Sequence, residues 1–176
     1  MLANTIKFIE VTLKLRVNRD KSGVFRPRRA KFLGYTFVGK TGQPLVHPKS
    51  FKRLKNKLRA VFYRARGGSL FRTIGELNAI LRGWRQYFRL DNRKGVFEAL
   101  DIHIRRHLRK LVWIAWKRPR TRERELRRRG LDDVRAWKSA NNGRGAWWNA
   151  NARHMRDAFP LSFFKRHGLY SLLAMR

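Results

Sequence analysis

Asp132 and Asp133 form the one adjacent pair of carboxylates in the sequence, and paired carboxylates are what two-metal phosphoryl transfer requires. Their setting points elsewhere. They follow Gly130-Leu131 and precede Val134, a place where Asp serves as a helix N-cap by accepting first-turn amide hydrogen bonds. His103 and His107 stand four apart, a helical spacing that can hold a metal. The segment His-Ile-Arg-Arg-His lacks the Glu of the zinc-protease motif, and its arginines repel cations, so surface or RNA-facing histidines are the better reading. Gly67-Gly68 reads as a helix stop and Gly143-Arg144-Gly145 as a turn, and no Ser or His falls in a nucleophile context. No catalytic residue, metal or cofactor is expected.

The chemistry that remains is cationic. Across 176 residues, 44 Lys and Arg face 11 Asp and Glu, a formal charge of +33. A compact chain with that excess repels itself at low ionic strength, and the natural counterweight is a polyanion. Nucleic acid is the first candidate and an anionic membrane surface the second. No apolar run approaches the roughly 18 residues of a spanning helix; the longest is Leu111 to Trp116. Met1 to Val17 mixes apolar and charged residues and is not a secretory signal. Without cysteine, disulfides and thiolate zinc sites are excluded. Hydrophobic residues make up 43% of the chain, enough for a core.

The elements that must carry these charges centre on Thr73 to Trp116. Ile74, Leu77, Leu81, Trp84 and Phe88 recur at spacings of three and four, and Phe97, Leu100, Ile104, Leu108, Leu111 and Ala115 do the same, which predicts two helices with one apolar face each, split at Asp91 to Gly95. The opposite faces read as cationic, with Arg82, Arg85 and Arg89, then Arg105, Arg106, Arg109 and Lys110. A preceding helix opens at Pro48 with Ser50 as N-cap, carries the stripe Phe51, Leu54, Leu58, Val61 and Phe62, and stops at Gly67-Gly68. Three consecutive helices with short links favour an antiparallel bundle. The N-terminal third reads as a small β-containing unit: a short helix at Thr5 to Leu13, a strand at Leu13 to Val17, and a hairpin of Val24–Arg26 with Lys31–Val38. The expected fold is α+β, mainly α, divided at 1–47, 48–116 and 117–176.

Lys117 to Arg129 holds eight basic and two acidic residues. It reads equally as a solvated, partly disordered face and as an RNA-contacting arm that orders on binding. The aromatics beyond it, from Trp137 through Tyr170, call for a compact end. Trp84 and Phe88 sit on the apolar stripe and belong to the core, whereas Tyr87 lies at its edge, open for base stacking. Trp147 and Trp148 are adjacent and should point apart, one buried and the other available.

The run Arg82-Gly83-Trp84-Arg85-Gln86-Tyr87-Phe88, followed by Val96-Phe97 and the basic helix Arg105 to Lys110, resembles the maturase-specific region of group II intron-encoded reverse transcriptases. Leu13-Lys14-Leu15, Asn18 and Lys21-Ser22 resemble that family's late palm block, and Phe32-Leu33-Gly34-Tyr35 its Phe-Leu-Gly block. Gly145-Ala146-Trp147, Ala158, Phe163-Phe164, Gly168-Leu169 and Ser171-Leu172 resemble the end of the X domain. The resemblance implies a palm remnant with a β-hairpin, a three-helix thumb and a small helical X domain. It implies binding to group II intron RNA, held in its splicing-competent fold, in the bacterial cytoplasm or an organelle matrix. The Tyr-x-Asp-Asp turn and earlier palm blocks of the polymerase do not occur in the sequence, which reads as a C-terminal fragment, so copying activity does not carry over.

The expected role is therefore a non-catalytic RNA-binding module without a membrane partner. Phosphate contacts are expected from Arg53 and Lys57, from Arg82, Arg85, Arg105, Arg106 and Arg109, with Tyr87 beside them, and from Arg118, Arg120 and Arg124 if the basic run orders. The rival readings are a subunit completing a polymerase with a separately encoded palm and fingers chain, on an RNA/DNA duplex, and a non-functional remnant exposing apolar surface.

Overall fold

The computed structural model describes residues 2–20 and 22–174. Lys21, half of the Lys21-Ser22 pair, lies outside the described residues, as do Met1, Met175 and Arg176. The chain divides into two compact units, Met1–His47 and Pro48–Arg176. The architecture is α+β, mainly α.

The first unit begins with α1 (Leu2–Val11). Its two-stranded sheet pairs β1 (Tyr35–Phe37) with β2 (Pro44–Val46), antiparallel, with Tyr35 opposite Val46. This differs from the expected hairpin of Val24–Arg26 with Lys31–Val38. The turn that closes is the next one along: Val38 N–H donates to Gln43 O and Gly42 N–H to Val38 O, with Gly42 at φ 65°. Arg26 to Ala30 instead coils into a turn on the Arg26 carbonyl. The Thr36 hydroxyl reaches Pro27 O and Arg28 O at 3.1 and 3.0 Å, holding that turn against β1. Leu13 to Val17, expected as a strand, is irregular, and Lys14 takes φ 52°.

The second unit comprises α2 (Pro48–Arg64), α3 (Leu70–Tyr87), α4 (Lys94–Ala115), α5 (Pro119–Arg128), α6 (Asp133–Ala140), α7 (Ala146–Asn149), α8 (Arg153–Ala158) and α9 (Leu161–Arg166). The apolar stripes meet as the spacing predicts. Leu54, Leu58, Ile74, Leu77, Leu81, Phe97, Ile104 and Leu108 are buried in one cluster. The same cluster continues through Trp113, Leu126, Met155, Phe159, Phe164 and Leu172, so the C-terminal helices share a core with the first three. Ser50 is buried within the first turn of α2 rather than capping it. Pro48, whose missing N–H costs nothing there, leads the helix.

The Lys117–Arg129 run, open between disorder and an arm, is an ordered helix. Pro119, three residues beyond the Trp116 C-cap of α4, supplies the first residue of α5. Glu123 and Glu125 pair with Arg127 and Arg129 one turn on, at 2.6 and 2.7 Å, which supports a helix whose outer face is charged. Leu126 is fully buried. The helix stops in a Schellman turn: Gly130 at φ 90° donates to Arg127 O, Leu131 N–H donates to Leu126 O, and both leucines enter the core. Asp132 then caps α6, its carboxylate accepting the Arg135 N–H at 2.8 Å. That is the structural role read for the Asp132-Asp133 pair, and Asp133 pairs with Arg127.

The segment after α9 is clamped onto α3 and α4. Asn78 donates to Gly168 O at 2.7 Å and accepts from Tyr170 N–H at 2.8 Å. Buried Asp101 accepts from the Ser171 hydroxyl at 2.6 Å and from Leu172 N–H at 3.1 Å. With α7 packed along another side of α4, that helix is enclosed on several faces instead of one.

Candidate nucleic-acid interface

Enclosure of α4 changes what its arginines do. Arg109, read as an outward cation, is 7% exposed. Its Nε and Nη2 both donate to Phe159 O, at 3.1 and 2.8 Å, where α8 ends. Burial, with Arg105 and Arg156 nearby, pushes its pKa down to about 10, still charged at neutral pH. Arg85, also 7% exposed, donates to Leu172 O and to Phe88 O, both at 3.0 Å, and lies 4.3 Å over the Phe97 ring. Neither guanidinium presents itself to a ligand. The helical wheel left these positions opposite the apolar stripe, but the C-terminal chain folds over that side and supplies bare carbonyls. Arg105 is half-buried. Arg106, also half-buried, donates to Trp147 O at 3.3 and 3.0 Å and stacks 3.9 Å over the Trp147 ring.

Other expected contacts do face outward. Arg53 and Lys57 are exposed one turn apart on α2, among exposed Lys52, Lys55 and Arg59. Arg82 is exposed on α3, with its guanidinium 5.8 Å from the Tyr170 ring. Tyr87 is 55% exposed, its ring edge-on to buried Phe88 at 4.8 Å. Trp84 packs between Phe51 and Phe88, partly buried against the core.

The densest arrangement is on α5. Arg118, Arg120, Thr121, Glu123, Arg124 and Arg127 line an open cleft of about 560 Å³. Arg118, Arg120 and Arg124 are exposed, Arg124 with its Nε 3.7 Å from the Glu125 carboxylate. Arg127 is engaged by Glu123 and Asp133 at 2.6 and 3.1 Å. Two arginines of the same run turn the other way: Arg122 donates to Trp116 O at 2.8 Å and lies over Trp113, and Arg129 lies over Trp116 and Phe159. The helix therefore sorts its arginines, some into the core's aromatic edge and others around the cleft. Arg127, not expected as part of the site, belongs to its wall; its spacing of seven from Arg120 would have flagged it once the run was read as helical.

The histidines do not read as surface groups either. His107 stacks on Phe62 with ring centres 4.4 Å apart and planes 7° apart, and its ring lies 4.7 Å from both His103 and Trp147. Burial first, then His103, Lys110 and Arg106, push its pKa down to about 4; His103 is lowered too, by burial and by Lys55 and Arg106. Both are neutral aromatic spacers at physiological pH. Among the described residues no three His, Asp or Glu side chains gather in metal-binding range, and no helix is long and apolar enough to cross a membrane.

The electrostatic outcome is one-sided. The acidic groups are largely consumed in local pairs, Glu76 with Arg64 and Arg72, and Asp157 with Arg135 and Arg153. What faces solvent is a positive surplus, which includes Arg53 and Lys57 on α2 and Arg118, Arg120 and Arg124 around the α5 cleft. Residues 51–130 match the family model of the group II intron, maturase-specific domain. The match runs from the first turn of α2 to the glycine that stops α5. No curated protein matches the chain.

Proposed function

We propose that the group II intron maturase-specific domain carried by this chain works as a non-catalytic RNA-binding module, docking on the folded intron transcript and stabilising its splicing-competent form. The observation that carries the reading is the α5 cleft, where Arg118, Arg120 and Arg124 surround a space open to solvent at the end of the matched stretch. Folded RNA offers phosphates at close and irregular spacing, and its recognition rests on backbone and shape. Exposed arginines on a rigid helix suit that target because their forked donors match phosphate oxygens. Arg53 and Lys57 on α2 and Arg82 on α3 extend the contact, while Arg85 and Arg109 hold the scaffold. The RNA carries out any cutting and joining.

The test is salt-dependent binding of a group II intron RNA to the wild-type chain, to an Arg120→Glu/Arg124→Glu variant and to an Arg53→Glu/Lys57→Glu variant. Each phosphate contact removed should flatten the slope of log affinity against log salt by about 0.9 on duplex or about 0.7 on single strands. Affinity and slope unchanged in both variants would overturn the reading.

The first unit favours a second reading alongside. Phe8, Val11, Leu13, Leu15, Val24, Phe25, Phe32 and Leu33 are exposed there, and another protein packed against this unit would take such side chains out of water. A separately encoded palm and fingers chain is the partner this suggests, with an RNA/DNA duplex as the shared substrate. Primer extension by the mixed chains, absent from either alone, is the outcome that would support it.

A further inference from the structure

Trp147 and Trp148 lie on α7, a single turn outside the matched stretch. Adjacent side chains on a helix point roughly 100° apart, but neither ring is buried as expected of one of them: Trp147 is 37% exposed and Trp148 48%, and the two differ in what they touch. Trp147 turns to α4, where Arg106 covers it at 3.9 Å and His107 approaches at 4.7 Å. It is pinned there by the hydrogen bonds from Arg106 to its own carbonyl. Trp148 turns the other way. It is 48% exposed, its ring centre lies 6.4 Å from that of His154, and the Arg144 guanidinium stands 5.4 Å from its ring centre.

The turn that presents Trp148 is unusually fixed. Asn149 is fully buried and donates to Arg144 O at 2.9 Å and Gly145 O at 3.2 Å. Asn142 donates to Asn149 Oδ1 at 2.7 Å and accepts the Arg144 N–H at 2.8 Å. Arg144 and Trp148 are thus held at opposite ends of one asparagine clasp. A rigid indole left half in water, with a guanidinium held near its ring, forgoes the burial that a structural tryptophan gains. It offers the flat apolar surface and the cation that an unpaired nucleobase takes up.

We infer that Trp148 is a stacking platform for one unpaired base of a bound RNA, with Arg144 closing over the base's outer face or reaching its phosphate. Trp147 is the anchor that keeps the platform in place. The inference rests on the RNA-binding reading and adds to it a preference for single-stranded loops over continuous duplex. Arg144 is exposed, and a base that entered between the two groups would displace its guanidinium from the Trp148 ring.

The experiment compares wild type, Trp148→Ala, Trp148→Phe and Arg144→Gln for affinity to a single-stranded oligoadenylate and to a blunt RNA duplex with the same number of phosphates, at one salt concentration. Trp148→Ala should weaken oligoadenylate binding roughly 5- to 160-fold, the effect of losing one stacked base. It should weaken duplex binding far less, and Trp148→Phe should recover most of the loss. Equal losses on both RNAs would make Trp148 a backbone contact and overturn the stacking site. Unchanged affinity for both would overturn it while leaving RNA binding intact, and a wild-type chain that binds neither RNA would overturn both readings. Should Trp148→Ala lose its helical circular dichroism signal, Arg144→Gln decides: a folded variant with unchanged oligoadenylate affinity overturns the sandwich.

Discussion

Replacing Arg109 by Met separates two jobs that a helical wheel cannot tell apart. On a wheel, Arg109 is one more cation opposite an apolar stripe, and its removal should cost RNA affinity. In the fold it is a buried clamp from α4 to the end of α8. A hydrogen bond to a charged group contributes about 1.5–3 kcal/mol, and a buried carbonyl left bare loses about 1–3 kcal/mol. Both donors of Arg109 converge on Phe159 O, so they count as one strong contact rather than two. Against it stands the cost of burying the cation, visible in the pKa pushed down to about 10 by burial and by Arg105 and Arg156; Met removes that cost and keeps the stem's packing. The balance is a net loss of roughly 1–2 kcal/mol for Arg109→Met and about 2–4 kcal/mol for Arg109→Ala, which also loses the stem. For Arg109→Met, urea unfolding followed by circular dichroism reads the stability, and filter binding of intron RNA across a salt series reads the affinity. The expected pair is a lowered urea midpoint with an unaltered salt slope. A midpoint within about 0.5 kcal/mol of wild type, together with a slope flattened by roughly 0.7–0.9, would refute the buried clamp and return Arg109 to the RNA surface.

Two further outcomes follow from the same geometry. His107 and His154 are both pushed down to about 4, chiefly by burial, against about 6.5 in an unfolded chain. Groups depressed on folding contribute stability that is present above about pH 6.5 and lost as pH falls through about 4, so the urea midpoint should decline across that window, and His107→Phe should flatten the decline; an identical decline in the variant would remove His107 as a source. Gly130→Ala forces a Cβ into φ 90° at the Schellman turn and should cost about 1–2 kcal/mol. Gly83→Ala, in mid-helix with open space around the added carbon, should gain about 0.5–1 kcal/mol, so thermal melts should move in opposite directions for the two glycines.

The stripes of α2, α3 and α4 were legible because each apolar position has a partner at helical spacing, and the core uses those positions: Leu58, Leu77, Leu81 and Leu108 are nearly inaccessible. The Asp132 cap was legible because its signal is local. The basic run stays open in the sequence because the helix α5 is sustained by charge pairs and one leucine rather than by a stripe, although Pro119 at its start, Glu–Arg pairs one turn apart and Gly130 at its stop are all present there. The first unit's pairing went wrong for a related reason. Several segments there have strand composition, and the choice among them was made by the Gly42 turn and the Thr36 hydroxyl. Burial of Arg85 and Arg109 was not legible at all. It depends on where residues 159 and 172 come to rest in space, information that no window around α3 or α4 contains.

Those buried arginines share a logic that reaches the proposed interface. Phe88, Trp116 and Phe159 are the residues at which α3, α4 and α8 end, and their carbonyls are met by Arg85, Arg122 and Arg109. Helix C-termini carry unsatisfied carbonyls and partial negative charge. A chain with 11 acidic residues among 44 basic ones cannot neutralise its arginines with carboxylates, and the ends of its own helices serve instead. Each such cap takes one cation out of the surface and turns it into scaffold. Arg53 on α2, Arg82 on α3, and Arg118, Arg120 and Arg124 around the α5 cleft are among those that stay exposed. An anion that arrives from outside meets these, and the buried set fixes the helices on which they stand. Substituting Lys into the buried set keeps the charge but loses the planar fork that lets one side chain donate twice, so the two populations should respond differently to the same exchange: scaffold positions through stability, cleft positions through affinity.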